Sequence, residues 1–314
     1  MRKVALFYNP MCAGGGGTEE DRRLRQIANV RGILERTGIT VSTASTQGSS
    51  VTGRQVRGAL DDGCDTILAC GGDGTVHDAA QELVGTEARL GIIPLGTANV
   101  LAHDLKIPRN AIAAAQALLK AEPRRIAVGR LEYCDLAGQS ASRFFLVTAG
   151  VGADAHLFYK LDPFAKRRFG VASYYAKAVH TWLTYNVPEF SASIDAEHAK
   201  PGVTQLLAVR IRNFGGVLRE LAPGASLERN DLRLVLFRTR SRLRYLACIL
   251  RGIFGARWQI GGIEVLNAAA VDCTTSNPAN SRAPRIFVEA DGELLGTLPV
   301  RISIVPDALT LLVP

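Results

Sequence analysis

The stretch Gly71-Gly72-Asp73-Gly74-Thr75 directly follows the short apolar run Thr66-Ile67-Leu68-Ala69-Cys70, and a helical pattern begins at about His77. A buried strand that runs into glycines and then into a helix is typical of a phosphate site at the carboxyl edge of a parallel sheet. Glycines let backbone N–H groups approach an anion closely, and the start of a helix adds partial positive charge. Because a carboxylate repels phosphate unless a cation lies between them, Asp73 indicates a nucleotide–Mg²⁺ site.

The first part of the chain, up to about residue 125, alternates strand and helix patterns. Repeated strand–loop–helix units predict a doubly wound parallel α/β sheet, whose ligands lie beyond the carboxyl ends of the strands. The predicted strands are Val4–Tyr8, Ile39–Thr43, Thr66–Cys70 and Leu90–Ile93, and the predicted helices are Glu19–Thr37, Val51–Asp62, Val100–Leu105 and Ala111–Leu119.

After Pro123, short strand patterns with polar turns dominate, which predicts a second, β-sandwich-like domain. A helix pattern at Phe169–Tyr185 interrupts them. We predict an α/β domain of residues 1–127 plus 306–314 and a β-rich domain of residues 128–305, with a cleft between them. The predicted strands are Arg125–Tyr133, Arg143–Val147, Glu189–Ile194, Gln205–Arg212, Leu232–Phe237, Gly262–Leu266, Arg285–Glu289 and Val300–Val305.

A second helix pattern in this half, Ser241–Phe254, is apolar on one side and basic on the other. It carries Arg242, Arg244 and Arg251, and further arginines lie close to both of its ends. Two interpretations stay open. The segment is either a packed helix with a solvated basic face, or an amphipathic helix that lies on an anionic membrane.

The bulk composition is that of an ordinary folded protein. A length of 314 residues favours two domains, and contents of 47% hydrophobic and 21% charged residues exclude a disordered chain. The net charge of +8 suits nucleotides, nucleic acid or anionic lipid without choosing among them. Six scattered cysteines argue against a zinc site or a disulfide framework. Since no apolar run suits a membrane span or a signal peptide, we expect a cytoplasmic protein that could meet a membrane only at its surface.

Three glycine-bearing loops fall at the same predicted sheet edge. Asn9-Pro10 with Gly14–Gly17 is by itself compatible with a flexible turn, and Gly96-Thr97-Ala98-Asn99 after Pro94 is by itself compatible with a helix N-cap. Gly71–Thr75 is more specific than a lone glycine motif because it joins a strand, glycines, an acid and a helix start. The last two loops together are hard to explain as turns alone, so we predict that they build one phosphate site.

With these loops in place, the chain resembles the lipid kinases of the diacylglycerol kinase catalytic-domain superfamily, which includes bacterial diacylglycerol kinases and the sphingosine and ceramide kinases. The resemblance covers nearly the whole chain. NAD kinases and phosphofructokinases share the Gly-Gly-Asp-Gly core, but neither the second loop nor the late Asp-Gly-Glu. The matching motifs are Asn9-Pro10, Gly71–Thr75, Pro94–Asn99, Ala149-Gly150-Val151-Gly152-Ala153-Asp154-Ala155, Asn213-Phe214-Gly215-Gly216, Ala222-Pro223-Gly224-Ala225 and Asp291-Gly292-Glu293.

The resemblance implies an NAD kinase-like nucleotide domain that uses ATP and Mg²⁺. Asp73 would be the metal ligand and a catalytic residue, and Glu293 would be the general base that takes the proton from a lipid hydroxyl. By itself, Asp291-Gly292 is the commonest hairpin signal, so the turn and the base can be one feature. The residues implied to bind the nucleotide are Asn9, Pro10, Thr43, Gly71, Gly72, Asp73, Gly74, Thr75, His77, Gly96, Thr97 and Asn99.

The same resemblance implies a lipid substrate, a transient membrane surface and no nucleic-acid partner, and it leaves a homodimer open. Three positions depart from the family. His77 stands where Asn is frequent, Val100 replaces an Asp near the metal, and Arg229 occupies the place of an Asp that holds a structural Mg²⁺ in bacterial relatives. Because arginine cannot ligate Mg²⁺, we predict no such structural metal near Arg229 and Asp231.

Two other functions compete with a lipid kinase. One is a nucleotide- or lipid-binding protein with little catalysis, and the other is a soluble-substrate kinase of the NAD kinase type. Retention of both Asp73 and Glu293 favours catalysis, because a pure binding protein needs no base. The sequence does not name the lipid, since several classes present a primary hydroxyl.

Overall fold

The computed structural model describes residues 1–10, 17–46, 49–153, 155, 187–214, 221–254, 259–275 and 285–314. The predicted helix Phe169–Tyr185, most of the Gly14–Gly17 loop, Asp154 and Gly215-Gly216 lie outside these residues. The chain forms two compact units. Unit 1 comprises Met1–Val128, Asn213–Gly216 and Pro306–Pro314, and unit 2 comprises Gly129–Arg212 and Val217–Val305. The domain boundaries derived from the sequence stay a prediction beside this division.

Unit 1 contains a parallel sheet flanked by helices. Its strand order is β4-β3-β1-β2, and the end of the last strand, β15 (Glu293–Val313), pairs in parallel with β4. Strand β3 is buried at every position, as expected of a central strand covered on both faces. The elements are β1 Lys3–Tyr8, α1 Gly17–Glu35, β2 Thr40–Ser45, α2 Ser49–Asp61, β3 Thr66–Gly71, α3 Asp73–Leu83, β4 Arg89–Pro94, α4 Val100–Asp104 and α5 Ala111–Leu119.

Helix α3 begins at Asp73, earlier than the start predicted at about His77. Gly72 is its N-cap, with an extended backbone, and Asp73 lies in the first turn, where a negative charge faces the positive end of the helix dipole. Gly and Asp are weak helix formers in a helix interior, so the sequence pattern placed the start of this helix too late. The stretch Gly71–Thr75 is therefore the end of a strand and the first turn of a helix, with one residue between them.

Unit 2 is built mainly from antiparallel strands around one apolar core. Strand β7 pairs with β10 and β14, and β13 pairs with β8 and β15. Phe145, Phe190 and Ile302 are among the fully buried core side chains. The remaining elements are β5 Glu122–Asp135, β6 Ser140–Phe145, β7 Thr148–Gly152, β8 Phe190–Ile194, β9 Lys200–Val203, β10 Gln205–Val209, β11 Leu232–Phe237, α6 Arg242–Phe254, β12 Ile263–Ala268, β13 Ala270–Thr275 and β14 Phe287–Ala290.

The predicted fold class, a parallel α/β domain followed by a β-rich domain, is confirmed. Strands β7, β9 and β13 were not predicted. Strand β7 carries Gly150 and Gly152, which lower strand propensity, but its Ala149 and Val151 are fully buried in the core of unit 2. Among the described residues, no helix combines the length and the apolar character that a membrane span requires.

Candidate active site

The glycines of the turn between β3 and α3 differ in what surrounds them. A Cβ at Gly71 would lie 2.4 Å from Oγ1 of the buried Thr75, so this glycine leaves room for packing inside the turn. A Cβ at Gly74 would meet no atom within 4 Å, and the φ of Gly74 is not positive. Neither packing nor backbone conformation therefore requires glycine at position 74. Gly74 is exposed, and its lack of a side chain leaves the backbone uncovered at this position of the first turn of α3.

The loop after β4 packs directly on this turn. Leu95 and Gly96 both donate their backbone N–H groups to the carbonyl oxygen of Gly71, at 2.8 and 3.1 Å. A Cβ at Gly96 would lie 2.4 Å from the Cα of Gly72, so a side chain at this position would force the two loops apart. The two loops predicted from the sequence to form one site are thus in contact within unit 1.

Asn99 closes the second loop on itself. It adopts a left-handed conformation with φ 49°, its Oδ1 accepts the N–H of Gly96 at 3.0 Å, and its Nδ2 donates to the carbonyl of Gly96 at 2.7 Å. Both ends of its amide are engaged, so Asn99 shapes the loop. Thr97 lies at the loop tip and is exposed. Of these two predicted nucleotide residues, Thr97 offers the more accessible hydroxyl or amide group.

Asp73 links the first turn of α3 to the start of α4. Its Oδ1 accepts the backbone N–H of Val100 at 2.7 Å. No hydrogen bond to the second carboxylate oxygen, Oδ2, occurs among the described residues. Val100 therefore contributes through its backbone, which any residue type supplies, while Oδ2 of Asp73 stays available to a cation.

The opening loop lies beside the same sheet edge. Asn9 donates its backbone N–H to the carbonyl of Cys70 at 3.3 Å, which places it next to the glycine turn. Thr46 follows the end of β2, and its backbone N–H donates to the carbonyl of Tyr8 at 2.8 Å. Thr43, by contrast, lies inside β2. The structure thus brings Asn9 and Pro10 to the predicted site, and Thr46, which follows β2, contacts the residue just before this loop.

An arginine-rich cavity of about 280 Å³ lies beside the second loop. Arg23 is largely buried, and its Nη1 donates to the carbonyl of Pro10 at 3.1 Å, so it also anchors the opening loop. Guanidinium groups suit phosphate because their donors match its oxygens. No motif identifies these arginines, which sit on α1 and ahead of α5. The cavity is lined by Arg22, Arg23, Gln26, Pro94, Leu95, Gly96, Thr97, Asn99 and Arg109.

His77 lies on the buried side of α3 and is 3% exposed. The same side carries Val76, Ala80 and Leu83, which are also buried. This position favours a packing role for the imidazole. A contact between His77 and a phosphate stays a prediction.

In unit 2, the turn Asp291-Gly292 joins β14 to β15. Both residues have positive φ, 49° and 83°, as in the tight turns of β-hairpins. The carboxylate of Asp291 accepts the backbone N–H groups of Leu146, Val147 and Thr148, at 2.8, 2.8 and 3.0 Å. Asp291 therefore fastens the hairpin to the start of β7, a structural role that the sequence did not reveal.

Glu293, the predicted general base, is the first residue of β15. Its side chain is 41% exposed, and its Oε2 forms an ion pair with Nη2 of Arg143 at 2.7 Å. Tyr133 lies within electrostatic reach of both groups: burial raises the pKa of its phenol, Glu293 acts in the same direction and Arg143 opposes it. Arg143 thus holds the carboxylate in one orientation. Sequence reasoning missed this arginine because it lies on a different strand.

The loop ahead of β11 is organised by two arginines. Arg229 forms a two-pronged ion pair with Asp231, with Nε 2.6 Å from Oδ1, and the pair raises the pKa of Arg229. Arg210 is 1% exposed and donates to the carbonyls of Arg229 and Asp231 at 2.8 and 2.7 Å, and its burial lowers its pKa to about 10. The carboxylate of Asp231 and the backbone carbonyl oxygens of Arg229 and Asp231, which could otherwise act as metal ligands, therefore accept hydrogen bonds from guanidinium groups.

The residues of unit 1 fit a nucleotide with Mg²⁺. In the first turn of α3, the N–H groups of Thr75 and Val76 donate to the carbonyl of Gly72 at 3.1 and 3.3 Å. The N–H groups of Asp73 and Gly74 precede the first hydrogen-bonded turn, and the exposed Gly74 gives an anion access to them. Oδ2 of Asp73 offers an oxygen ligand of the kind that Mg²⁺ prefers. Among the described residues, no three His, Cys, Asp or Glu side chains converge. A magnesium ion bound here would therefore take its other ligands from phosphate and water.

Comparison with known proteins points to one family. A family model described as the diacylglycerol kinase catalytic domain matches residues 3–131, and one described as the YegS C-terminal NAD kinase beta sandwich-like domain matches residues 146–313. The chain is 26% identical to a diacylglycerol kinase of Bacillus subtilis, over 95% of this chain and 92% of that protein. It is 28% identical to a diacylglycerol kinase of Mycobacterium tuberculosis, over 82% of this chain and 79% of that protein.

The fold has a counterpart among solved structures. The crystal structure of a diacylglycerol kinase from Bacillus anthracis superposes with a TM-score of 0.72, at 17% identity, and covers 100% of this chain and 97% of that one. At this identity, the likeness shows that the fold is shared.

Proposed function

The chain belongs to the diacylglycerol kinase catalytic-domain superfamily and is a kinase with an alcohol acceptor, and from this premise we propose that it is an ATP- and Mg²⁺-dependent lipid kinase. The proposed reaction transfers the γ-phosphate of ATP to the hydroxyl of a diacylglycerol-like lipid. The observation that carries the proposal is the exposed Gly74 in the first turn of α3, where neither packing nor backbone conformation requires glycine, next to Asp73, which keeps one oxygen available.

In unit 1, the proposed roles divide between backbone and side chains. The backbone N–H groups of Asp73 and Gly74 bind phosphate oxygens, and Oδ2 of Asp73 would hold the metal. When bound, Mg²⁺ supplies neutralisation of the phosphate charge. Thr97 and the arginine-rich cavity, including Arg109, bind the remainder of the triphosphate. Asn9, Pro10, Thr43, Gly71, Gly72, Thr75, His77, Gly96 and Asn99 complete the proposed nucleotide site, several of them as residues that shape its loops.

In unit 2, we assign the proton transfer to Glu293. Its carboxylate accepts the proton of the lipid hydroxyl as the hydroxyl oxygen attacks phosphorus. Arg143 acts as a positioning residue through its ion pair with Glu293. Phosphoryl transfer depends mainly on positioning and charge neutralisation, so one base together with a metal and backbone donors suffices.

The proposed setting follows from the substrate. A lipid hydroxyl is met at a membrane, so we place the protein in the cytoplasm with transient attachment to a membrane surface. The net charge of +8 suits such a surface when it is anionic. A homodimer is a further arrangement that the same proposal accommodates.

A transfer assay tests the proposal. The purified chain is incubated with Mg²⁺, γ-labelled ATP and a panel of lipids that contains diacylglycerol, phosphatidylglycerol, a sphingoid base and a polyprenol, with NAD as the soluble alternative. We expect labelled lipid from wild type and none from Asp73→Ala or Glu293→Ala. Unchanged transfer in both variants would contradict the proposed lipid kinase activity of this site. ATP binding without any labelled product would favour a binding protein, and labelled NAD would favour the soluble-substrate kinase.

A further inference from the structure

We propose that the outer face of helix α6 is the surface through which this chain docks on an anionic lipid membrane. The inference rests on the proposed function in one respect, namely that a lipid kinase meets its substrate in a bilayer. It goes further because it names the element, the residues and the lipid charge that the docking requires.

The inner face of α6 is already packed against unit 2. Tyr245 and Cys248 are both buried. The Tyr245 hydroxyl lies 2.9 Å from Oγ1 of Thr204, and its ring stacks on Phe237 with the centroids 4.7 Å apart. Arg251 is buried on the same side. These contacts anchor the helix and set its orientation, so the side chains on its opposite face are not needed for packing.

The outer face of α6 is nevertheless apolar. Leu243 is 77% exposed and Phe254 is 70% exposed, and the helical repeat places the exposed apolar residues of α6 on one stripe. Elsewhere in the described residues, the exposed large apolar side chains are single and scattered: Leu24, Ile112 and Leu136. A continuous apolar stripe at the surface indicates a partner. Its members are Leu243, Leu246, Ile249, Leu250 and Phe254.

The charged side chains on α6 itself all have one sign. Helix α6 contains no acidic residue. Arg242 and Arg244 are exposed in its first turn, and neither forms an ion pair among the described residues. Cations in the first turn oppose the helix dipole, so the stability of the helix does not account for them. Ahead of the helix, Arg238 and Arg240 are paired with Glu264 and Glu189, at 3.4 and 3.1 Å. The positive charge offered to a partner is therefore that of Arg242 and Arg244. An apolar stripe beside arginines is the pattern of a helix that lies in the interface of an anionic membrane.

The same charges argue against a second copy of the chain as the occupant. In a symmetric dimer, both copies contribute the same patch, so the arginines of two α6 helices would be brought together without any carboxylate on α6 to neutralise them. Like charges across an interface disfavour association. Anionic headgroups, by contrast, neutralise the arginines while the acyl region takes up the apolar stripe.

Vesicle sedimentation without ATP tests the docking directly. Wild type is mixed with vesicles of phosphatidylcholine alone, or of phosphatidylcholine and phosphatidylglycerol in equal amounts, in low and high salt. We expect strong binding to the anionic vesicles, weak binding to the neutral ones, and loss of binding as salt screens the arginines.

Two double variants separate the apolar and the basic contributions. Leu243→Ser with Phe254→Ser is expected to weaken binding to anionic vesicles by at least about 30-fold. Arg242→Gln with Arg244→Gln is expected to weaken it by roughly 30-fold and to reduce its salt dependence. The controls, Leu24→Ser with Leu136→Ser and Arg36→Gln with Arg54→Gln, change exposed apolar or charged residues elsewhere and should bind as wild type does.

The outcomes divide clearly. Equal weakening by the control pairs, or binding that ignores lipid charge, overturns the proposal. The proposal is also overturned if wild type fails to bind vesicles and forms a dimer that the double variant Leu243→Ser with Phe254→Ser dissociates in sedimentation. Helix α6 would then be a contact between copies.

Kinase assays distinguish the docking proposal from the proposed kinase function. The α6 variants should phosphorylate a monomeric short-chain diacylglycerol at the wild-type rate and lose transfer to diacylglycerol in anionic vesicles. Vesicle binding without any transfer would refute only the kinase.

Discussion

Two Asp-Gly pairs, Asp73-Gly74 in unit 1 and Asp291-Gly292 in unit 2, are identical in sequence but differ in their contacts in the structure. Asp291 accepts three backbone N–H groups, and Gly292 has a positive φ that glycine adopts without strain. Asp73 accepts one backbone N–H group, and Gly74 has neither a positive φ nor a close neighbour. The second pair is explained by the fold. In the first pair, Oδ2 of Asp73 and the uncovered backbone at Gly74 have no structural role, and these two features are the basis of the proposed phosphate site.

The largest effect on phosphate transfer is expected from a substitution at Asp73. Asp73→Asn keeps an oxygen that can accept the N–H of Val100 but removes the charge that would hold a cation. We expect phosphate transfer to fall by roughly 10²–10³-fold or more, while the free energy of unfolding changes by less than about 0.5 kcal/mol. Labelled-phosphate transfer and denaturant unfolding measure the two quantities. A large loss of stability with modest loss of transfer would assign Asp73 to the fold instead.

The reverse pattern is expected at Asp291. Asp291→Asn replaces a charged acceptor of three backbone N–H groups with one amide oxygen and an NH₂ group that competes for the same space. We expect the free energy of unfolding to fall by about 2–4 kcal/mol, because hydrogen bonds to charged groups are the stronger ones. Denaturant unfolding provides the measurement. An unchanged unfolding midpoint would contradict a structural role for this carboxylate.

Gly74→Ala sharpens the contrast between the two glycines. A methyl group at this position meets open space, and alanine is a better helix former, so stability should rise by up to about 1 kcal/mol. The same methyl group would crowd a phosphate, and we expect the affinity for ATP to drop by about tenfold, a loss of ~1.4 kcal/mol. Calorimetric titration with ATP measures the affinity. Gly71→Ala is the control, since its Cβ would lie 2.4 Å from Oγ1 of Thr75 and should destabilise the fold.

The smallest expected effect lies at the edge of the site. Arg109→Gln removes one guanidinium group from the cavity beside the second loop. We expect the KM for ATP to rise about fivefold with kcat nearly unchanged, as for the loss of one exposed charge contact to a phosphate. Steady-state kinetics with varied ATP provide the test. A fall in kcat at constant KM would place Arg109 nearer to the transferred phosphate than we propose.

Sequence patterns predicted most strands and helices of unit 1 because its buried strands are short apolar runs followed by amphipathic helices. They were less informative in unit 2. Strand β7 contains two glycines and forms because its small buried residues pack between β10 and β14. Arg143 could not be linked to Glu293 from the sequence, because the pair depends on which strands are neighbours.

The chain by itself determined that a strand, glycines and an acid precede a helix, and that a second glycine loop and a late Asp-Gly-Glu follow. Local chemistry suffices for this, because turn residues and apolar periodicity act over a few neighbours. Only the tertiary structure decided which groups remain available. It saturates Asp291, closes Asn99 on its own loop and buries His77, while Oδ2 of Asp73, the surface over Gly74 and the outer face of α6 stay accessible. Hydrogen-bond saturation and burial are set by residues far apart in the chain, so they emerge only when the chain is folded.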